Sequence, residues 1–369
     1  MSSTWGNAIK LSIFGGSHTE AIGVTIDGLP AGEKIDWEEV LVQMARRAPG
    51  QDPTATTRSE KDMPKVLCGL LNGVTTGAPL TAIIENTNQH SKDYENLRVL
   101  PRPGHADYTA YVRYGNHHDV RGGGHFSGRL TAPLVFAGAL ARQILSRKGV
   151  TVGSHVVTVG QSQGDEPFDP VRVSPELLNR LNQEYFPVIV ENAREEMRLE
   201  IENARKEADS VGGIVECAVT GMPAGVGNPM FSGVENLISS LVFGIPAVKG
   251  IDFGAGFSAA YLRGSQNNDT FYYDGQGNVR TRTNRSGGIL GGITSGMPLI
   301  FQVAIKPTPS IGKEQDTVNL ETKENAKLIV EGRHDPCIVP RAAPVVEAAA
   351  CIACLELLAE SGLLSHGKG

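Results

Sequence analysis

Two long apolar stretches constrain this chain most. "RLTAPLVFAGALARQILSRKG" reads as a helix from about Leu130 to Lys148, closed by Gly149. "VVEAAACIACLELLAE", after Pro344, reads as a second apolar helix near the C-terminus. A chain of 369 residues is long enough to build a sizeable core around such segments. Cys351 and Cys354 form a CxxC inside the second stretch, where they read as small core residues and not as a redox pair. The five cysteines are an odd number, widely scattered, which suggests a reducing compartment. No segment is read as approaching the roughly 20 apolar residues of a membrane span. The N-terminal "MSSTWGNAIKLSIFGG" lacks a basic region followed by an apolar run, so no signal peptide is expected. The expected location is cytoplasmic, with no membrane partner.

Between these stretches, strands and helices alternate. "IDWEEVLVQMARRAPG" predicts a helix capped by Asp36, with Glu39 placed for a capping box. Trp37, Val40, Leu41 and Met44 form its apolar stripe, and Arg46 and Arg47 fall in its last turn, where basic residues suit the helix dipole. "PKVLCGLLNG", "APLTAIIENT", "VTVGSHVVTVG", "VGGIVECAVTGMP" and "MPLIFQVAIKPTPS" predict strands. Ser174-Pro175 opens a short helix. "AREEMRLEIENARKEADS" predicts an amphipathic helix, with Ala193, Met197, Ile201, Ala204 and Ala208 on one stripe. "GVENLISSLVFGIPAVKGIDFG" reads as helix, turn, strand, and "GQSQGDEPFDP" as an exposed loop. The regular short βαβ spacing of a doubly wound sheet is missing. The expected class is therefore α+β with antiparallel pairing, and residues 1–369 carry no evident domain boundary.

The chemistry gathers in glycine-rich turns. Glycine accounts for 44 residues, clustered in "RGGGHFSG", "NRSGGILGGITSG" and "KGIDFGAGF". Such clusters mark tight turns or close backbone approach to a ligand. The net charge of −6 gives no global basic character, so nucleic acid is not expected as a partner; locally clustered arginines and lysines suit small anions. "NHHDVRGGGHFSG" offers His117, His118, Asp119 and His125 as metal ligands, with His105 and Asp107 nearby. Adjacent His117 and His118 on an extended segment point to opposite faces, and neither HExxH nor paired CxxC occurs, so no metal is expected. "RGGGHFSG" also misses GxGxxG, because Ser127 stands where the last glycine belongs. Anion binding on backbone amides of such a turn stays open.

Three more turns carry polar groups: "FGGSHTE", "RPGHADY" and "EGRHDPCIVPRAAP". Together with "RGGG", "NRSGGILGGITSG", "IPAVKG" and "KPTPSI", they resemble the signature blocks of the chorismate synthase family, in the same order and over nearly the whole chain. "ENTNQHSKDY" and "RGSQNND" resemble the family between those blocks. The resemblance implies a sandwich with a helical core between antiparallel β-sheets, and a homotetramer. It also implies the activity: anti 1,4-elimination of phosphate and a ring proton from 5-enolpyruvylshikimate 3-phosphate, giving chorismate. Reduced FMN is required without net redox change. No added segment suggests self-reduction, so a separate flavin reductase is expected, with NADPH involved only indirectly.

Residue by residue, the resemblance puts His18 beside the flavin pyrimidine ring, where a cationic imidazole helps hold the reduced flavin as an anion. It makes His105 the group that protonates or stabilises the departing phosphate. It places Asp335 near the flavin's central nitrogen. Pro246, Ala247, Gly291, Lys306, Pro307, Thr308, Pro309, Ser310 and Arg333 form the implied flavin cradle, with Arg47 and the turn His125, Phe126, Ser127. Arg47, Arg129 and Arg341 would fork the substrate's anionic groups, with Ser17 as a hydroxyl donor.

Among the departures from the family's usual blocks, three remove a charge. Ala48 and His125 stand where arginine is usual, and Leu130 where glutamate is usual. Histidine keeps positive character only below its pKa. These departures motivate an alternative: a flavin- or phosphate-binding homologue with weakened or lost lyase activity. A metal-dependent hydrolase using the histidine cluster is a third reading.

Overall fold

The computed structural model describes residues 3–50, 52, 62–87, 96–330 and 335–364. Two antiparallel sheets enclose a layer of helices. The first sheet runs β1 (Thr4–Trp5), β2 (Lys10–Gly15), β3 (Ala21–Asp27), β7 (Leu80–Glu85), β4 (Pro64–Cys68). The second runs β10 (Val248–Phe253), β15 (Leu299–Ile305), β9 (Gly213–Thr220), β8 (Thr151–Val159). Four two-stranded ladders complete the β-structure: β5 (Leu70–Leu71) with β6 (Val74–Thr75), β11 (Phe271–Tyr273) with β12 (Val279–Thr281), β13 (Ile289–Leu290) with β14 (Ile293–Thr294), and β16 (Gln315–Asn319) with β17 (Glu324–Leu328). The expected α+β sandwich with a helical core is what the chain forms.

Period-two alternation explains the first sheet. Ile22, Val24 and Ile26 of β3 sit opposite Ile84, Ala82 and Leu80 of β7, and all six are buried on the face toward α3 (Thr131–Arg147). The second sheet is covered on both faces. Cys217 lies beside Ser154 and Phe301 on the side of α8 (Val339–Glu360). Ala218 and Ile300 pack with Phe168 and with Leu178 and Leu181 of α4 (Pro175–Leu181) on the other side. Two-sided burial is why its strands read as near-continuous apolar runs.

Helices α3 and α8 pack together between the sheets. Gly138 allows their close approach: a Cβ there would lie 2.3 Å from the Cβ of Ala348. Helix α8 starts before Pro344, with Pro340 in its first turn, where a missing N–H costs nothing, and Pro344 inside. It also corrects the membrane expectation. It is 22 residues long, and its most apolar 18-residue stretch, with a mean hydropathy of 1.8, suffices for a span by length and composition, yet 94% of that stretch is buried in the protein. Cys351 and Cys354 are fully buried in it, and burial pushes the Cys351 thiol up to about 12.

A carboxylate sits at the centre of this core. Glu347 is fully buried and accepts from Arg46 Nη1 (2.7 Å) and Nη2 (3.0 Å), Arg142 Nη2 (2.7 Å), and Ser154 N (3.1 Å) and Oγ (2.7 Å). Burial raises its pKa, but Arg46 and Arg142 prevail and hold it below the usual carboxylate range. Arg46 and Arg47, at the end of α1 (Trp37–Arg47), are therefore core residues and not surface charges. Asp36 caps α1 by accepting from Glu38 N and Glu39 N, while its own N–H donates to Gln143 Oε1 in place of Glu39.

Two further expectations change. Helix α5 (Glu191–Lys206) buries Ala193, Met197, Ile201 and Ala204, but Ala208 lies past its end, exposed, at φ 55°. The loop 160–170 buries Asp165 and Phe168. Asp165 Oδ2 faces His155 Nδ1 at 3.0 Å, and Glu216 Oε2 faces His155 Nε2 at 2.9 Å. Each ring nitrogen thus faces a carboxylate oxygen, an arrangement that favours the imidazolium. Burial opposes that charge, but the bonds to Asp165 and Glu216 raise the His155 pKa above its ordinary value.

Two outcomes follow for stability. Glu347→Ala should lower unfolding stability by about 3–5 kcal/mol, because it strands two buried guanidiniums; urea denaturation measures this. A raised folded pKa gives His155 a contribution fully present below about pH 6.5 and lost as pH rises through the folded value. Wild-type stability should fall along that alkaline limb, and His155→Gln should flatten it, in urea titrations across a pH series.

Candidate functional site

The glycine run and two histidines meet. Strand β2 ends at Gly15 and leads into the turn holding Ser17 and His18. Gly122, Gly123 and Gly124 have φ of 58°, 85° and 54°, a left-handed series that only glycine adopts cheaply. A Cβ on Gly122 would lie 2.4 Å from His18 Cε1 and Nδ1 and 2.6 Å from Ser17 Oγ. A Cβ on Gly123 would lie 3.3 Å from His105 Cε1 and Nε2. One stretch of bare backbone thus touches both imidazoles. Ser17 N donates to Gly124 O (3.2 Å) and Ser17 Oγ to Arg121 O (2.9 Å). That leaves Ser17 Oγ to accept from His18 Nδ1 at 3.2 Å. His18 is buried.

His105 is oriented by its neighbours. Its Nδ1 lies 2.5 Å from Asp107 Oδ1, at the start of α2 (Asp107–Tyr114). Asp107 also accepts from Arg102 Nε (2.8 Å) and Nη2 (2.9 Å). Burial raises the Asp107 pKa, but the bonds from Arg102 and His105 win and hold it far below the carboxylate range. An ionised Asp107 can only accept, so His105 Nδ1 donates, and the Nε2 edge faces Gly123.

Arg102 carries the site to the loop after β15. Its Nη1 donates to Ser310 Oγ at 3.1 Å, and Gly104 packs against Pro309. Lys306 N donates to Ala247 O (2.9 Å), and Ala247, next to Pro246, holds φ 75°. Burial, then Lys249, lowers the Lys306 pKa. Thr308 Oγ1 donates to Asp335 O (2.8 Å), and Asp335 Oδ2 accepts from Arg341 Nη1 (2.6 Å). Arg341 Nε donates to Arg47 O (3.0 Å). Arg47 Nη1 donates to Asp62 Oδ2 (2.5 Å), and Asp62 Oδ1 accepts from Arg129. Arg129 Nε donates to Asn86 Oδ1 (3.0 Å), and Asn86 Nδ2 donates to Gly16 O (3.0 Å). The chain of contacts closes where it began, beside Ser17 and His18.

This circuit joins His18, His105, Asp335, Ser17, Arg47, Arg129, Arg341 and the Lys306–Ser310 loop with Pro307. Ser127 lies beside Gly123 and accepts from Arg129 N (3.3 Å). Phe126 packs against Tyr114. His125 directs Nδ1 to Gly15 O and Nε2 to Ser3 Oγ, both at 2.8 Å, so its ring nitrogens meet protein atoms. Gly291 sits instead on the β13–β14 turn, whose next residue, Gly292, packs on Asn228 and Gly233. Arg333 lies outside the described residues. Asp119 pairs with Arg121. Among the described residues, no three His, Cys, Asp or Glu side chains are grouped to hold a metal ion.

Asp62, Asn86 and Arg102 are the members that sequence reasoning missed as functional residues. Arg102 stands three residues before His105, in a block already singled out, and Asn86 in another. Asp62, in "KDMPK", carries no local signal; only its two arginines mark it.

Two imidazoles on bare backbone, linked through Arg47, Arg102, Arg129 and Arg341 to Asp62, Asp107 and Asp335, are groups that can move protons and meet anions. A family model for chorismate synthase matches residues 9–359. A chorismate synthase of Lancefieldella parvula is 46% identical, over 97% of this chain and 96% of its own. One of Thermococcus kodakarensis is 47% identical over 93% of each, and one of Methanocaldococcus jannaschii 40% identical over 98% and 97%. A crystal structure of a chorismate synthase superposes with a TM-score of 0.74 at 25% identity, covering 97% of this chain and 93% of that one. The chain belongs to the chorismate synthase family.

Gly122→Ala tests the site's geometry. Its Cβ must displace the His18 ring, and a shift near 1 Å can cost about 10²-fold in rate. The expected outcome is a loss of that order in kcat/KM together with a lowered Tm, because alanine is also strained at φ 58°.

Proposed function

We propose that this protein catalyses the chorismate synthase reaction, an anti 1,4-elimination on 5-enolpyruvylshikimate 3-phosphate. The C–O bond to phosphate breaks, a ring proton leaves, and a new ring double bond forms, so the substrate undergoes no net oxidation. The observation that carries this reading is the meeting of His18 and His105 on the Gly122–Gly123 backbone, in a chain that matches the family over residues 9–359.

The residues suit a flat, anionic cofactor. A side chain at Gly122 would collide with His18 and one at Gly123 would crowd His105, and Lys306 and the arginines supply positive charge. Pro246, Ala247, Lys306–Ser310, Phe126, Ser127, Arg47 and Arg333 would hold reduced FMN. When bound, that group supplies electron density to the breaking bond and a basic ring nitrogen. His105, with Nδ1 tied to Asp107, presents Nε2 to the leaving phosphate and gives or shares a proton there. His18, with Nδ1 on Ser17, places cationic character against a neighbouring anion. Asp335, fixed by Arg341, is oriented to keep a nearby proton in place. Arg47, Arg129 and Arg341, with Ser17, meet the substrate's phosphate and carboxylates. The same reading takes the protein as a cytoplasmic homotetramer, with its flavin reduced by a separate NADPH-dependent enzyme.

The departures do not favour the inactive alternative. His18, His105 and Asp335 are all retained in the circuit, and His125, one of the three altered positions, turns its ring nitrogens to Gly15 and Ser3. The test is turnover under anaerobic conditions with dithionite-reduced FMN. His105→Ala should lower kcat by about 10²–10⁴-fold with the circular dichroism spectrum unchanged. A variant with near-normal kcat would remove His105 from the chemistry, and wild type that forms no chorismate would overturn the proposal.

A further inference from the structure

Arg47 and Arg129 are two of the cations assigned above to the substrate, and Asp62 already occupies the place between them. The Asp62 side chain is wholly buried, accepting from Arg47 Nη1 on one oxygen and Arg129 Nη1 on the other. The other guanidinium nitrogens are directed elsewhere. Arg47 Nε donates to Thr131 Oγ1 and Nη2 to Gly128 O. Arg129 Nε donates to Asn86 Oδ1 and Nη2 to Glu85 O. The face where the two Nη1 groups converge is therefore the one built for an anion, and a carboxylate fills it. Two oxygens bridging two guanidiniums is also how a phosphate or carboxylate ligand would bind.

The Asp62 backbone agrees. Its φ is 42°, in the left-handed region that costs a residue with a Cβ, though aspartate tolerates it better than most. The ion pairs hold it there against its own backbone preference. Without an anion, Arg47 and Arg129 would be buried cations side by side, close to Arg341. Burial first, and then Arg341 and Arg129, already depress the Arg47 pKa to about 10 despite Asp62.

We propose that Asp62 is an internal stand-in for the ligand: it neutralises Arg47 and Arg129 in the ligand-free site, and an anionic group of the substrate takes its place. This rests on the reading that these arginines bind substrate. The consequence is competition. Apparent affinity is the intrinsic affinity scaled by the fraction of molecules in which Asp62 has withdrawn. A carboxylate that merely braced the two arginines would have the opposite effect, since its loss would loosen the site and weaken binding.

Inorganic phosphate is the probe, titrated calorimetrically into wild type, Asp62→Asn and Asp62→Glu without flavin. Asp62→Asn should bind phosphate about tenfold more tightly than wild type, as expected when a competing state is removed. It should also gain more in Tm from phosphate. Asp62→Glu, still charged, should bind no more tightly than wild type. Unchanged or weaker binding by Asp62→Asn, or tighter binding by Asp62→Glu, would overturn the proposal. If Asp62→Asn folds only with phosphate present, that rescue supports it; failure to fold in phosphate as well counts against it. Tightened phosphate binding without chorismate formation in wild type would sink the proposed function but keep this role for Asp62. Wild-type turnover without tightening would do the reverse.

Discussion

The fully buried Glu347 carboxylate ties four elements together: α8, which carries it; α1 through Arg46; α3 through Arg142; and β8 through Ser154. A buried ion pair seldom adds net stability over an apolar core of the same shape, but it penalises every arrangement that leaves one partner alone. Here that penalty sets where α1 ends relative to α8. Arg47 follows Arg46 directly, its carbonyl receives Arg341, and its guanidinium reaches Thr131 at the start of α3. The site's arginines thus stand where the core's charge knot places them. Glu356, on the opposite side of α8, does similar work for the N-terminal segment by accepting from Asn7 N, Ala8 N and Ile9 N.

The glycine run solves a different problem. His18 lies just after a strand of one sheet, and His105 on a separate turn before α2. Bringing both rings to one place needs an intervening backbone without side chains. Gly122 and Gly123 provide it, at φ values that other residues adopt only with strain. Each histidine is then fixed by a local partner: Ser17 for His18, Asp107 for His105.

What could be seen in the sequence followed local rules. Apolar periodicity located α1, α3 and α5, and β-branched runs located β8, β9 and β15, because burial writes itself into spacing. Pro344 misled the start of α8, since proline marks a boundary in sequence but is tolerated within this helix. The burial of Arg46 and Arg47 could not be read from their helix turn because what buries them is remote: Glu347 is 301 residues from Arg46, and Asp62 announces nothing by itself. Family resemblance supplied His18, His105 and Asp335, but not Asp62, Asn86 or Arg102, which join them into one circuit. His125 was expected to lend charge to a ligand, whereas its ring nitrogens bond Gly15 and Ser3.

The central claim is that His18 and His105 face one ligand site across the Gly122–Gly124 backbone. A crystal structure with 5-enolpyruvylshikimate 3-phosphate and FMN tests it most directly. The account predicts substrate phosphate within hydrogen-bond distance of His105 Nε2, and flavin against the Lys306–Ser310 loop and His18. Ligands seated elsewhere, such as the surface cleft lined by Asn228, Met230, Phe231 and Glu360, with both histidines untouched, would contradict it.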